Sequence, residues 1–580
     1  SNAFGIGAKV TAWANGEAQS RQLSLTRGYM SVDEPVVHFG LGTAETIERL
    51  RVEWPSGAVQ EFEDLEANQL VVVREEQSGS EASAEATWFR QSGIAIPSES
   101  VSEEEYYQVH LGQFLLPFAD DRLGPELAVA DFDGDGWMDV ALGGASGQPT
   151  RLFRNEEGKR LVYERSEGFE DDALAEDAAL VPLDYDGDGD LDLFVASGGV
   201  ELDPGDEAYR DRLYLNRGDF RFERMEAAFP ARSSGDAALT EIKTGDRWLV
   251  VAGGPVARAY PEVEPGSVWA WSEQGASAAE SEFASRFAES GRTTALVATD
   301  LDGDGDTDLA QARQFAYPKF WHNVGGRLVE RQMLTEPERM LGSWRSIAAA
   351  DFNGDGRLDL SLGNLGENNK YRTSYDEPAV LFASSDPELR GKFIETETVD
   401  GKLYPRESRI FHQVDFPDIA ARTGTYEAWS GMTVEEAFTP ERMARYRRYD
   451  LNERRSMLLL QREDGFYETK PLPPLAQLGA AIDQLAADFD QDGDLDLALV
   501  LETLPVQPVA AAKREQSFIV VLFNDGRGAF EAALPWRTGL VLEAGDARRL
   551  AWADLDGDGH EELIVSANQG PLHVFEWRDR

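Results

Sequence analysis

The 580-residue sequence predicts an all-β protein: a seven-bladed β-propeller, or an eight-bladed one, with a small N-terminal β domain and a partly helical insertion. Three observations predict it. A nine-residue acidic pattern, D-x-[DN]-x-D-G-x-x-[DE], occurs six times; short apolar runs flank the copies; and Asn and Gly turns recur after them.

Residues 1–73 alternate apolar and polar in VTAWANG, RLRVEW and QLVVV, which predicts half-buried strands of a small domain. Residues 74–87, REEQSGSEASAEAT, read as a linker. The propeller occupies 88–580. The acidic copies begin at Asp131, Asp184, Asp300, Asp351, Asp488 and Asp554, so the spacings are 53, 116, 51, 137 and 66. LAVA, ALVPL, ALVAT and SIAAA precede loops, while DVALGG, DLFVASGG, DLSLGN and DLALV follow them. Runs this short, punctuated by glycine, are strands rather than helices. LFRNEEG at 152–158, LYLNRG at 213–218, FWHNVGG at 320–326 and LFNDGRG at 522–528 add a hairpin signal. Each unit is therefore strand, acidic loop, strand and hairpin, which is a four-stranded propeller blade.

The 116-residue spacing is two units with one loop lost. Its relic is residues 239–254, where Leu249 to Gly254 keep the strand that follows a loop, without the acids. The 137-residue spacing is one unit plus an insertion at about 368–470. The eight-bladed alternative arises here, because LFASSD at 381–386 and the following KFIETETV imitate a degenerate strand, loop and strand.

Acids at positions 1, 3, 5 and 9, with glycine at 6 for a sharp turn, describe a loop curled around a hard cation. Calcium suits it, taking six to eight oxygens at about 2.3–2.6 Å, one of them the carbonyl at position 7. The first loop offers Asp131, Asp133, Asp135 and Asp139 with the Trp137 carbonyl, and the second Asp184, Asp186, Asp188 and Asp192 with that of Asp190. The third offers Asp300, Asp302, Asp304 and Asp308 with Asp306, and the fourth Asp351, Asn353, Asp355 and Asp359 with Arg357. The fifth offers Asp488, Asp490, Asp492 and Asp496 with Asp494, Gln491 being only a spacer; the sixth offers Asp554, Asp556, Asp558 and Glu562 with His560. Asn353 and Glu562 mark the fourth and sixth as the weakest. About six calcium ions are expected. An EF-hand would need an acid at position 12, where Leu142, Val195, Gln311, Leu362, Leu499 and Val565 stand, and helical flanks.

A net charge of -51 repels nucleic acid and anionic membranes and invites cations. Only nine of the 55 basic residues are lysine, as on surfaces that stay soluble in high salt. The absence of cysteine excludes disulfides, thiolate metal sites and a cysteine nucleophile. No run of about 18 apolar residues predicts a transmembrane segment. His38, His110, His322, His412, His560 and His573 show no ligand spacing, and there is no nucleophile elbow or phosphate loop.

The loops and their flanking strands resemble the FG-GAP or VCBS repeats of integrin α-chains and bacterial surface proteins, over about residues 88–580. The resemblance implies structural calcium in the loops. Residues 4–73 resemble the ASPIC/UnbV domain found beside such repeats in cartilage acidic protein and bacterial relatives. GIGAKVTAW at 5–13, GYMS at 28–31, HFGLGTAETIERLRVEWPSG at 38–57 and NQLVVV at 68–73 carry it. That domain usually has one more strand before GIGA, and Ser1, Asn2 and Ala3 look like a tag remnant, so a longer protein is expected.

The resulting expectation is a non-enzymatic, calcium-binding module that holds a glycan or a protein at the cell surface, outside the cell or in the periplasm, where calcium is millimolar. An enzyme acting on polysaccharide through the propeller channel is the alternative, and a structural spacer the blandest option. A deep channel-mouth pocket with convergent carboxylates would favour the enzyme. Within the insertion, Arg442, Arg445, Arg447, Arg448, Arg454 and Arg455 lie in a stretch, 432–455, with helical spacing and a Thr439 cap before Pro440. They are either paired with the acidic body or a ligand patch.

Overall fold

A computed structural model describes residues 7–23, 36–55, 58–67, 69, 71, 73, 87–104, 113, 115–117, 124–226, 229–243, 246–272, 275–503, 517–542 and 545–578. GYMS at 28–31 and linker residues 74–86 lie outside these. The chain forms two compact units, Ser1–Ala86 and Thr87–Arg580.

In the first unit, Lys9–Ala14 and Thr46–Glu53 are the central strands, flanked by Glu17–Gln22 and Val59–Glu66. Ala12, Ile47 and Leu50 form its core, with Phe62 and Leu65 against them; the alternation of Thr46–Glu53 slips by one residue between Ile47 and Leu50, which returns both to the buried face.

The second unit repeats one four-stranded antiparallel sheet. Sheet 1 is Leu127–Ala130, Asp139–Leu142, Arg151–Asn155 and Leu161–Glu164; sheet 2 is Glu176–Leu183, Asp192–Gly198, Arg212–Asn216 and Phe222–Met225. Sheet 3 is Ser234–Lys243, Asp246–Gly253, Ser267–Ser272 and Gly275–Ala278; sheet 4 is Thr293–Thr299, Asp308–Ala316, Lys319–Asn323 and Leu328–Arg331, with Gly342–Ser343 added at its side. Sheet 5 is Ser346–Ala350, Asp359–Gly363, Met457–Gln461 and Tyr467–Pro471; sheet 6 is Ala480–Ala487, Asp496–Glu502, Ser517–Asn524 and Phe530–Ala533. Sheet 7 is Asp546–Ala553, Glu562–Asn568 and His573–Trp577, completed by Phe89–Gln91 from the start of the unit.

The first strands of these sheets touch in sequence order, and that of sheet 7 touches that of sheet 1, which closes the ring. An apolar cluster fills each gap. Ala141 faces sheet 2 beside Leu193 while its neighbour Val140 faces sheet 7 beside Ile564, so the second strand buries both faces. That is why these strands read as unbroken apolar runs. Sheet 3 holds the loop-less unit, with Asp246–Gly253 as its second strand.

The insertion leaves sheet 5 after Gly363 and returns at Met457. Its reach to about 470 is therefore corrected, because MLLLQ at 457–461 is fully buried as the third strand of sheet 5. Of residues 381–386 and 392–399, 381–383 and 394–399 do lie in strands, but not in a ring blade. Ala379–Ala383 and Ile394–Val399 join Lys402–Pro405 and Arg447–Leu451 in a separate sheet. Five short helices between Arg409 and Met443 pack Phe416, Ile419, Trp429 and Phe438 onto it. Thr439 caps the last, its Oγ1 accepting from the Arg442 backbone N–H at 3.2 Å. The helical spacing read through Arg455 fails at Arg447, where half-buried Tyr449 and buried Leu451 follow period two and pair with Ala379–Ala383.

Candidate metal centres

Each acidic pattern forms the turn from the first to the second strand of its sheet. Position 1 organises it: Asp131 Oδ1 accepts from the Gly134 and Asp135 N–H groups at 2.8 and 3.1 Å, and Oδ2 from Gly136 at 2.9 Å. Asp300 repeats the pattern with Gly303, Asp304 and Gly305. Position 6 is left-handed in every copy, φ being +94° at Gly136 and +97° at Gly493, which only glycine adopts without strain. Position 4 is left-handed too, so Gln491 at φ +60° is not a neutral spacer.

Carboxylate oxygens of Asp131, Asp133 and Asp139 lie within 4.8 Å of one another, as do those of Asp184, Asp186 and Asp192, of Asp300, Asp302 and Asp304, and of Asp488, Asp490 and Asp492. Asp490 Oδ1 is buried without a hydrogen-bond partner. An orphaned oxygen among clustered carboxylates fits a hard cation.

The loops differ in what else reaches them. Arg357 swings back onto Asp355, so the fourth loop, already weakened by Asn353, carries its own counter-ion. Arg217 stands 3.3 Å from Asp186, and His322 Nδ1 2.9 Å from Asp302. The His560 side chain leaves its own loop and accepts from Gln491 Nε2 at 3.0 Å.

Position 9 does more than ligation requires. Asp139 is fully buried; Oδ2 accepts from the Phe132 N–H at 2.9 Å and Oδ1 from the Asn155 N–H at 2.8 Å, tying the loop to the third strand. Asp192, Asp308, Asp359 and Asp496 make the same two bonds, to Tyr185 and Asn216, Leu301 and Asn323, Phe352 and Gln461, and Phe489 and Asn524. Burial pushes Asp139, Asp496 and Glu562 up to about 7 and Asp192, Asp308 and Asp359 to about 6, against the pull of those N–H donors and with neighbouring acids adding to it.

Sequence reading missed the residue that joins these loops around the ring. Asn216 Nδ2 donates to the Phe132 carbonyl of the preceding loop at 2.7 Å, and Gln461, Asn524 and Asn155 do the same to Leu301, Phe352 and Leu555 at 2.7, 2.8 and 2.7 Å. The signal was present in the recurring Asn of the hairpins. Its Oδ1 also accepts from a nearby glycine N–H, Gly158 at 2.9 Å from Asn155, which is the turn that the pattern announced.

A second site lies in the channel, where a cavity of about 350 Å³ is floored by one apolar side chain from each first strand: Leu127, Leu180, Ala237, Leu296, Ile347, Ile482 and Leu550. Glu126, Asp236, Asp483, Glu502 and four arginines stand around it, apart from the acidic loops. Arg549 grips Glu126 with two bonds of 2.5 and 2.8 Å across the junction of sheets 7 and 1. Asp236 accepts from the Leu296 N–H and Asp483 from that of Leu550, both at 2.7 Å. Burial raises Glu126 to about 7 and Asp483 to about 6 although Arg549 opposes it.

Five of the six arginines of the basic stretch have partners within the insertion, and Arg447 stands exposed at the start of its strand. Arg442 pairs with Asp418 at 2.8 Å, Arg445 with Asp386 and Glu388 at 2.5 and 2.7 Å, Arg448 with Asp450 at 2.8 Å, and Arg455 with Glu453 at 2.6 Å. Arg454 donates to the Glu367 and Tyr371 carbonyls.

Residues 1–80 match the ASPIC and UnbV family, and residues 131–195 and 300–361 match the FG-GAP-like repeat. None of the curated proteins matches. Among solved structures, the V. cholerae biofilm matrix protein Bap1 is 12% identical with a TM-score of 0.36, covering 85% of this chain and 91% of its own. Saccharomyces cerevisiae Sqt1 is 10% identical with a TM-score of 0.35, covering 79% and 100%. Such distant likenesses say nothing about activity. Among the described residues no helix is long and apolar enough to cross a membrane.

Proposed function

We propose that the acidic loops hold calcium and that the protein is a calcium-stabilised, non-enzymatic binding module for a glycan or protein outside the cell. The observation that carries the reading is the set of converging carboxylates, each tied through position 9 to the third strand of its sheet. A cation there screens like charges a few Å apart and rigidifies the rim of the ring. Calcium at millimolar concentration is an extracellular condition, which supports that location.

With five of the six arginines engaged, ligand contact falls on the adjoining face of the insertion. Ile410, Val414 and Tyr426 are more than half exposed there, and Tyr426 stacks under the Arg409 guanidinium at 4.8 Å. An exposed tyrosine offers a flat apolar face with a polar tip, as a sugar ring or a peptide requires. Glycan-array binding should be present in calcium, lost in chelator, and reduced by Tyr426→Ala. Binding indifferent to both treatments would overturn the reading.

The channel cavity supports a second reading, ligand binding or hydrolysis at the channel mouth, because acids with raised pKa converge there away from the loops. Against it, each of the four acids already has a partner within the ring, Glu502 being held by Arg548 at 2.7 Å. Polysaccharide cleavage abolished by Asp483→Asn would establish the enzyme and displace the first reading.

A further inference from the structure

The third acidic loop differs from its five counterparts in what the blade brings to it. The residue one beyond the partner of the second strand's first apolar residue is His322 in sheet 4. Its equivalents are Arg154, Leu215, Leu460, Phe523 and Glu576, none of which offers a neutral nitrogen. His322 is only 9% exposed, and one of its ring nitrogens lies with oxygens of Asp302 and Asp308 inside 4.8 Å.

The ring is oriented by both of its nitrogens: Nε2 stands 3.1 Å from Met333 Sδ, which leaves Nδ1 as the nitrogen turned to the loop, 2.9 Å from Asp302 Oδ2. A nearly buried imidazole nitrogen placed among carboxylate oxygens is the donor set of a mixed nitrogen and oxygen site. We propose that this loop, alone among the six, is a mixed nitrogen and oxygen site for a borderline cation such as zinc, with His322 Nδ1 as the added ligand. It rests on the reading that the loops hold divalent cations and departs from it in which cation this one prefers. Imidazole adds affinity for zinc over calcium, which an all-oxygen loop lacks.

Zinc alone is the probe. The full chain is dialysed against millimolar calcium with micromolar zinc, and both metals are counted. One zinc per chain is expected in the wild type and in His560→Gln, and none in His322→Gln, with calcium retained by all three. Manganese-loaded wild type should show nitrogen coupling in pulsed electron paramagnetic resonance. Absent coupling, or zinc undiminished in His322→Gln, overturns the proposal. Wild type that holds calcium but no zinc overturns this proposal alone, whereas a chain holding neither metal overturns the calcium reading beneath it.

Discussion

Asn524 works at four points with one side chain and its own N–H. Oδ1 accepts from Gly528 at 3.2 Å, Nδ2 donates to the Phe352 and Leu495 carbonyls at 2.8 and 2.9 Å, and the backbone N–H meets Asp496 at 2.8 Å. Asn524→Ala leaves two buried carbonyls and a loop glycine without their partner. At about 1–3 kcal/mol for each orphaned group, and with partial rescue by water, a loss of about 2–4 kcal/mol is expected, seen as a lower urea midpoint at unchanged slope. A loss below about 0.5 kcal/mol, the size of an ordinary surface substitution, would refute the clasp. The local half of this residue was legible: Asn followed by Gly announces a turn. The other half was not, because Phe352 lies 172 positions away and spacing within a hairpin carries nothing about the neighbouring sheet. Position 2 of the loops was opaque for the same reason. It reads as a spacer, yet Phe132, Phe352 and Phe489 are buried between sheets.

At the level of the loop, the six final acids act together. Their pKa values are raised in the folded state to about 6 or 7, above the ordinary carboxylate value, so the native state binds protons more tightly than the unfolded chain. Ionising them therefore costs stability, a cost complete above pH 7 and relieved as pH falls. In chelator the melting temperature should rise from pH 8 to about 5.5; in calcium, which needs the ionised form, that rise should vanish or reverse. A flat profile in chelator would count against the buried carboxylates as drawn. His412 runs the other way. It is fully buried in the helical insertion among Phe416, Trp429 and Phe438, neither ring nitrogen has a partner, and burial lowers its pKa to about 4. A lowered histidine pKa means stability lost as pH drops below about 6.5, down to about 4. His412→Phe keeps a flat aromatic ring, slightly larger than imidazole, and removes two unsatisfied atoms, so it should stabilise the insertion by about 1–2 kcal/mol at neutral pH and by more at pH 5. Denaturant unfolding at both values checks this; a destabilised variant would mean that the imidazole has a partner the reading lacks. The insertion's existence was legible as an excess of length between two loops. Its internal sheet was not, because arginine-rich RRYDL carries helical composition and its period-two pattern spans only five residues.

The second unit is a closed ring in a chain under charge stress. Net charge -51 repels itself, and six divalent ions, twelve charges, would leave it strongly acidic, so closure has to be secured by contacts rather than by charge balance. The repeat was legible because six loops share one spacing rule. The closure was invisible, since FRQ at 89–91 is too short to signal a strand and its partner ends the chain. That strand completes sheet 7 by pairing with His573–Trp577, and Phe89, 1% exposed, meets Phe489 and Trp577 edge to face at 6.1 and 5.1 Å. The first and last parts of the second unit are thereby stitched together, with Arg549 and Glu126 tying the same junction at the channel. A closed ring unfolds as one body, whereas an opened one frays from sheet 7, where Leu563, Phe575 and Leu540 lose a wall of their shared core. A chain beginning at Thr87 should therefore unfold in one transition at the full-length midpoint for this unit. One beginning at Ile94, shorter by seven residues, should lose several kcal/mol, the cost typical of removing a buried aromatic and three paired residues, and show a broadened transition. Adding calcium should restore part of the midpoint but not the single transition, because the cation tightens loops and cannot replace a strand. Identical unfolding of the two truncated chains would show that the ring is held shut without Phe89–Gln91.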